Sequence, residues 1–307
     1  MRVVFVGASG FGLRCLEAVA GFSACELAGV ITAPREFRIS YAPSGVTNVL
    51  HADFAAWARA RGTPCLTIQD GMNDPRVLGF VRARRPDLFV VVGWYHLVPR
   101  SLRQIAPAVG LHASLLPDYA GGAPLVWAII NGERRTGITL FQLSDGVDDG
   151  PIYAQAEETI RDEDTIATLY SRIEEHGLAL LRDTLPRIAA GTAHAVPQDL
   201  NRRRAFPQRS PEDGRIDWSW PARRVYDFVR AQTKPYPGAF AFFRGEKLHI
   251  WRARLAGEGG SDGFRVVCGD GQELELEEVG IGPNTMSGCE LLVRIGMDSS
   301  HAARWLG

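Results

Sequence analysis

The chain predicts an α/β fold, with a Rossmann-like, doubly wound, mostly parallel sheet followed by a second, smaller, β-rich domain of the OB-like barrel kind. Three observations carry that expectation. Apolar, strand-like runs alternate with helical patterns from Val3 to Ala190, the rhythm of a parallel sheet wrapped by helices. From Ala239 onward that rhythm gives way to short alternating segments separated by glycine turns, as in small barrels and open sheets. At 307 residues the chain also exceeds what one hydrophobic core serves, about 250–300 residues.

Taken in order, Val3–Val6 is a continuous β-branched and aromatic run. It is followed by Gly7, Gly10 and Gly12 and by an apolar helical pattern through Ala20, so a buried strand turns into a helix. Glu26–Thr32 reads as the second strand, and Ala52–Arg61 as a helix with Phe54 and Trp57 on one face. Cys65–Ile68, Leu88–Val92, Ala108–Leu111 and Ile138–Leu143 read as further strands. Asp74–Arg84, Ala123–Ile130 and Asp164–Ala190 read as helices. Gly191–Gln208 has few large apolar residues and the basic cluster Arg202, Arg203 and Arg204. The expected organisation is therefore a catalytic domain over 1–190, a linker over 191–220 and a second domain over 221–307. That second domain is predicted to hold a helix at Pro221–Gln232 and a firm turn at Pro235–Gly238. Strands follow at Ala239–Phe243, Leu248–Arg252, Phe264–Cys268, Leu274–Val279 and Leu291–Ile295, with a loop over Gly257–Gly263.

Charge and cysteine use remove several classes of function. The net charge of −1 gives no overall basic excess with which to hold nucleic acid or an anionic membrane. Cys15, Cys25, Cys65, Cys268 and Cys289 are scattered, with no CxxC pair and no zinc spacing; the expectation is a cytoplasmic protein without a metal. No apolar run approaches the roughly 18 residues of a membrane span. The first glycine loop departs from the dinucleotide fingerprint, because its glycines fall at 7, 10 and 12 and the second strand ends without an acid.

The strongest chemical signal is His112, in the loop 110–124, followed by an acidic, glycine-spaced loop with Asp145, Asp148 and Asp149. A histidine at a strand end, paired with an aspartate on a neighbouring one, suits proton transfer near neutral pH. A calcium loop is excluded because the required glutamate is missing, and a serine hydrolase lacks its nucleophile elbow. His96 lies just past the strand Leu88–Val92 and is open between pocket lining and packing.

At these residues the chain resembles the folate-dependent formyltransferase family, which includes methionyl-tRNA and nucleotide-sugar N-formyltransferases. That family pairs Asn-x-His with SLLP and a D-x-G-x-D-x-G loop. His112, Ser114–Pro117, Tyr119, Gly121, Asp145, Gly146, Asp148 and Gly150 carry the likeness. Further segments, Ala123–Ala128, Asn131–Glu133, Gln208–Gly214, Ile216–Trp218 and Pro235–Ala239, extend it over most of residues 1–255. The resemblance implies formyl transfer from N10-formyltetrahydrofolate to a primary amine, with His112 and Asp148 catalytic and Gly110 standing where the family has asparagine. It places the pterin against Trp94, Tyr95, His96, Leu97 and Val98, and against Leu143, Ser144, Asp145, Gly146 and Val147. It places the acceptor near Ser114, Leu115, Leu116, Pro117 and Arg209. Gly110 has no side-chain donor, and loss of one oxyanion donor costs about 2.7–4 kcal/mol. Ser114, His96, Gln142 or a backbone N–H are the candidates to replace it.

Residues 255–307 hold nine acids against three arginines, and the 34–50 segment carries only Arg35 and Arg38 against Glu36. Because such a surface repels phosphate, the expected acceptor is a small-molecule amine, foremost a nucleotide-linked amino sugar, with no nucleic-acid and no membrane partner. The acidic small domain leaves room for a homodimer. Methionyl-tRNA formylation, donor hydrolysis and a folate-binding scaffold without turnover stay open as alternatives.

Overall fold

In β1 (Arg2–Gly7), Val3, Val4, Phe5 and Val6 are all fully buried; a strand apolar on both faces must be covered on both. It accordingly lies inside a sheet. The computed structural model describes residues 1–39, 42–69, 71–257, 264–295 and 303–304. The expected loop at Gly257–Gly263 therefore falls almost wholly outside the described residues. The chain folds as two compact units, Met1–Gly121 with Gly137–Glu158 and Arg172–Ala205, and Gly122–Thr136 with Thr159–Ser171 and Phe206–Gly307.

Along the chain, β1 leads into α1 (Gly10–Ala20) and β2 (Glu26–Thr32). A hairpin follows, β3 (Glu36–Ile39) and β4 (Ala42–Thr47), then α2 (Phe54–Ala60), β5 (Cys65–Thr67), α3 (Pro75–Arg84) and β6 (Leu88–Val92). A single turn, α4 (Arg100–Arg103), precedes β7 (Ala108–His112), β8 (Ala120–Gly121), α5 (Pro124–Ile130), β9 (Arg135–Gln142) and β10 (Ile152–Thr159). The long helix α6 (Ile166–Ala189) ends the alternation. Among the described residues the sheet has seven strands in the order β10-β9-β7-β6-β1-β2-β5. β1 pairs in parallel with β2 and β6, β2 with β5, and β6 with β7. β9 runs antiparallel to β7, with Gly110 opposite Phe141 and His112 opposite Thr139.

The first glycine loop is a packing device. A Cβ on Gly7 or on Gly12 would lie 2.6 Å from the Val92 carbonyl oxygen, so only glycine lets the β1–α1 turn close against the end of β6. Two of the amides that could bind a phosphate there are already bonded. Gly10 N–H donates to the Leu50 carbonyl at 2.8 Å, and Gly12 N–H donates to Ser9 Oγ at 3.1 Å. Buried Asn48 closes the same corner, donating to the Ala8 carbonyl at 2.9 Å and accepting from the Tyr95 hydroxyl at 2.9 Å.

The second unit is built on β12 (Ala239–Phe243), β13 (Glu246–Leu255), β14 (Phe264–Val267), β15 (Glu273–Ile281), β16 (Asn284–Ser287) and β17 (Ala303–Arg304). Their order is β12-β13-β15-β14-β17, with β16 also on β15. Helix α7 (Ala222–Gln232) packs Val225, Phe228 and Val229 into the same core as Leu248, Ile250, Leu276 and Val279. Between the two alternating regions lie short pieces, among them β11 (Ala205–Phe206), which pairs with β8.

Leu291–Ile295, expected as a strand, is the end of helix α8 (Gly288–Ile295). Ser287 and Glu290 explain it: Glu290 accepts from Ser287 N–H at 2.7 Å and its own N–H donates to Ser287 Oγ at 3.2 Å. That reciprocal cap starts a helix, and Gly288, Leu291 and Leu292 then form its buried side.

Replacing Gly12 with alanine tests the packing role of the loop. Helix propensity alone would favour alanine by about 1 kcal/mol, whereas overpacking against backbone costs about 1–3 kcal/mol. The expected net result is a lower unfolding midpoint in urea; an unchanged or raised midpoint would remove the close-approach explanation.

Candidate active site

β7 carries His112 to the rim of the sheet. The loop beyond it is stitched down by its own side chains. Ser114 Oγ donates to the Asp118 carbonyl at 2.7 Å, and Thr139 Oγ1 donates to the Ser114 carbonyl at 2.6 Å. Gln155 Nε2 donates to the Leu116 carbonyl and to Thr139 Oγ1, both at 2.9 Å. Ser114 and Leu116 are buried, and Leu115 and Pro117 half-buried. These four residues, expected to line the acceptor pocket, thus form the floor of the loop, and the Ser114 hydroxyl is taken by Asp118.

The imidazole of His112 is gripped from both sides. Nε2 lies 2.8 Å from the Tyr119 carbonyl oxygen, which can only accept, so Nε2 carries a proton. Nδ1 faces Asp148 Oδ2 at 3.5 Å, an electrostatic contact longer than a full hydrogen bond. The same Oδ2 accepts from Gly121 N–H at 2.8 Å. Tyr119 and Asp148 both adopt left-handed backbone conformations, with φ of +54° and +55°. Such conformations are uncommon for residues other than glycine and persist where surrounding bonds determine them.

Gly110 is buried in the pairing of β7 with β6 and β9. A Cβ there would come within 2.9 Å of Leu143 Cδ1 and 3.4 Å of the Val91 carbonyl oxygen. Leu143 therefore occupies the space beside Gly110 where an asparagine side chain would begin. With the Ser114 hydroxyl donating to Asp118, His96, Gln142 and a backbone amide remain as the candidates for the missing donor.

The two segments expected to hold a pterin are joined by Arg103, a residue with no motif to mark it in the sequence. Arg103 Nε donates to the Val98 carbonyl at 3.0 Å, and its Nη2 pairs with Asp145. That hydrogen bond holds the Asp145 carboxyl below the usual carboxylate range. Laid on Gly146, Asp148 and Gly150, the acid–glycine pattern puts Ser144, not Asp145, at its first acidic position; the Ser144 hydroxyl donates to Asp149. Leu97 and Val147 are 68% and 44% exposed. His96 sits against the rings of Phe37 and Trp94, each at 5.4 Å, and burial pushes its pKa down. Its Nε2 and the Nε1 of Trp94 are buried without a hydrogen-bond partner among the described residues, while Tyr95 reaches Asn48.

Arg209, expected in the acceptor site, belongs to the second unit. Its guanidinium stacks on Trp127 at 4.6 Å and Phe228 at 5.6 Å and donates to the Asp213 carbonyl and Gln232 Oε1, both at 2.6 Å. Burial lowers its pKa, and its contacts brace α7 against α5.

The fold and the His–Asp rim define a group-transfer enzyme on a doubly wound sheet with an added antiparallel domain. The chain belongs to the formyltransferase family: it matches the formyl transferase domain over residues 46–185 and the formyl transferase C-terminal domain over residues 209–294. It is 35% identical over 295 residues to a methionyl-tRNA formyltransferase of Anaeromyxobacter sp. (strain K), covering 91% of this chain and 92% of that one. Its fold is similar to the N-formyltransferase of Helicobacter canadensis solved with folinic acid and dTDP-3-aminofucose (TM-score 0.65, 17% identity, 89% of this chain and 98% of that one). It is also similar to HypX of Aquifex aeolicus solved with tetrahydrofolic acid (TM-score 0.63, 17% identity, 99% of this chain), spanning 49% of that chain.

Gly110→Asn restores the family's residue but requires Leu143 to move. The single variant is expected to lose about 1–3 kcal/mol of stability, and pairing it with Leu143→Ala should recover part of that loss. Chemical denaturation of the four-member cycle measures the coupling; strictly additive effects would show that Leu143 does not occupy the asparagine's place.

Proposed function

We propose that this enzyme transfers a formyl group from N10-formyltetrahydrofolate to a primary amine, and that the amine is the α-amino group of methionyl-tRNA. The observation that carries the chemistry is His112 held between Tyr119 and Asp148. The amine nitrogen attacks the formyl carbon, forming a C–N bond and placing negative charge on the former carbonyl oxygen. With Nε2–H fixed on Tyr119, Nδ1 is the nitrogen left to exchange a proton with the reacting groups. Asp148 lies beside Nδ1 and takes part in that proton exchange, while the ring placed at the reacting carbon stabilises the oxyanion. Collapse breaks the bond to N10 of the donor; the amine loses its proton through the His112–Asp148 pair, and N10 gains one.

The acceptor assignment rests on 35% identity to a methionyl-tRNA formyltransferase over nearly the full length of both chains. The acid count of the C-terminal segment weighs less against RNA once the ion pairs are drawn. Glu273 pairs with Arg265, Glu275 with Arg254, Glu277 with Arg252 and Glu278 with Lys234, at 2.5–2.9 Å. Three of those cations precede residue 255, so a window count missed them. A nucleotide-linked amino sugar is the second reading, favoured by the sparse charge of the 34–50 segment, where Arg35 and Arg38 are the only basic residues.

Steady-state kcat/KM for formylation of methionyl-tRNA and of a dTDP-amino sugar decides between them. The expected order is tRNA first, with a rate that falls steeply as salt rises; faster formylation of the sugar would replace the tRNA reading. His112→Ala is expected to lower kcat/KM by about 10²–10⁴-fold on the true acceptor, and a loss below tenfold would remove His112 from the chemistry.

A further inference from the structure

The segment 196–204, inside the region expected to be a linker, is bonded to both loops that hold His112. It is anchored at its start by Val196 and Ile152, whose backbones exchange hydrogen bonds of 2.7 and 2.8 Å. Gln198 Nε2 then donates to the Asp148 carbonyl at 2.9 Å and to the Gly150 carbonyl at 2.7 Å. Arg203 Nη2 donates to the Val147 carbonyl at 3.0 Å. Arg204 forks onto the Asp118 carboxylate, with Nε at 2.6 Å from Oδ1, and its guanidinium lies 4.9 Å from the centre of the Tyr119 ring. The Arg204 carbonyl accepts from Ala120 N–H at 3.0 Å.

The two left-handed residues that face the two nitrogens of His112 are thus each held by one side chain of this segment, Asp148 by Gln198 and Tyr119 by Arg204. We propose that residues 196–204 are a clamp that fixes the orientation and tautomer of His112, with Gln198 and Arg204 as positioning residues for the transfer step. Neither touches the histidine. Gln198 fixes the turn that aims the Asp148 carboxylate at Nδ1, and Arg204 fixes the peptide whose carbonyl accepts from Nε2–H. Both bonds run from side chain to backbone or as a fork, the geometries that define position best. The kinetic part of the proposal rests on the formyltransferase reading; the structural part does not.

The test uses the full chain with Gln198→Ala, Arg204→Ala and Arg204→Lys, and with Asp183→Ala as control, since the Asp183 side chain is exposed on α6, outside the segment. Nitrogen-15 NMR of the His112 ring, assigned against His112→Ala and recorded without substrates, reads the tautomer. Wild type and Asp183→Ala should show a protonated Nε2, and Gln198→Ala and Arg204→Ala a mixed population. In formyl transfer, displacement of the ring by about 1 Å predicts a 10- to 100-fold fall in kcat. KM for the donor should stay within about threefold, and Arg204→Lys should recover part of the rate. Unaltered ring signals with kcat within about threefold of wild type in the folded variants would overturn the clamp. If the wild-type chain formylates no amine, the functional reading fails while the ring signals still decide the clamp.

Discussion

The antiparallel register between β7 and β9 is the constraint on which the site depends. With His112 opposite Thr139 and Gly110 opposite Phe141, the chain leaving β9 returns along the strand that carries the histidine, and eight residues span Leu143 to Gly150. A parallel crossover would need a dozen or more residues and would carry the acid to a more distant strand end. The same register seats Thr139 under the loop after His112, where its hydroxyl ties Ser114 and Leu116. One strand therefore supplies both the acid's approach and the histidine loop's floor.

Much of the first unit was legible because its signals are local. Four consecutive apolar residues in β1, the helix after them and the buried run of β6 each declare their state without reference to the rest of the chain. His112 and Asp148 were legible because few other residue pairs at strand ends offer that chemistry. What could not be read is what only three-dimensional neighbours decide. Ser114 looked like a polar pocket residue, and its hydroxyl turns inward to Asp118. Arg209 was expected near the acceptor, and the rings of Trp127 and Phe228 that stack on its guanidinium could not be read from the chain. Residues 196–204 have too few large apolar side chains to announce an element, since their role is carried by side-chain amide and guanidinium bonds to distant carbonyls.

Electrostatics was the least legible level. Charge counted along a window treats each glutamate of β15 as a free charge, whereas cross-strand pairing sets Arg252 beside Glu278 and Arg254 beside Glu275 in register. A sheet brings opposite charges from separate stretches of sequence onto one face. The segment's sign therefore belongs to the folded ladder, not to the stretch of chain.

The closed corner formed by Gly7, Gly12, Ser9 and Asn48 bears on discrimination between ligands. Doubly wound sheets offer phosphates a crevice where the strand order reverses, and cells hold abundant nucleotides that fit it. In this chain the amides at that crevice are bonded to Leu50 and Ser9, and the adjoining Ala8 carbonyl accepts from Asn48. The main chain itself thus withdraws the Gly10 and Gly12 amides from an anion at that crevice.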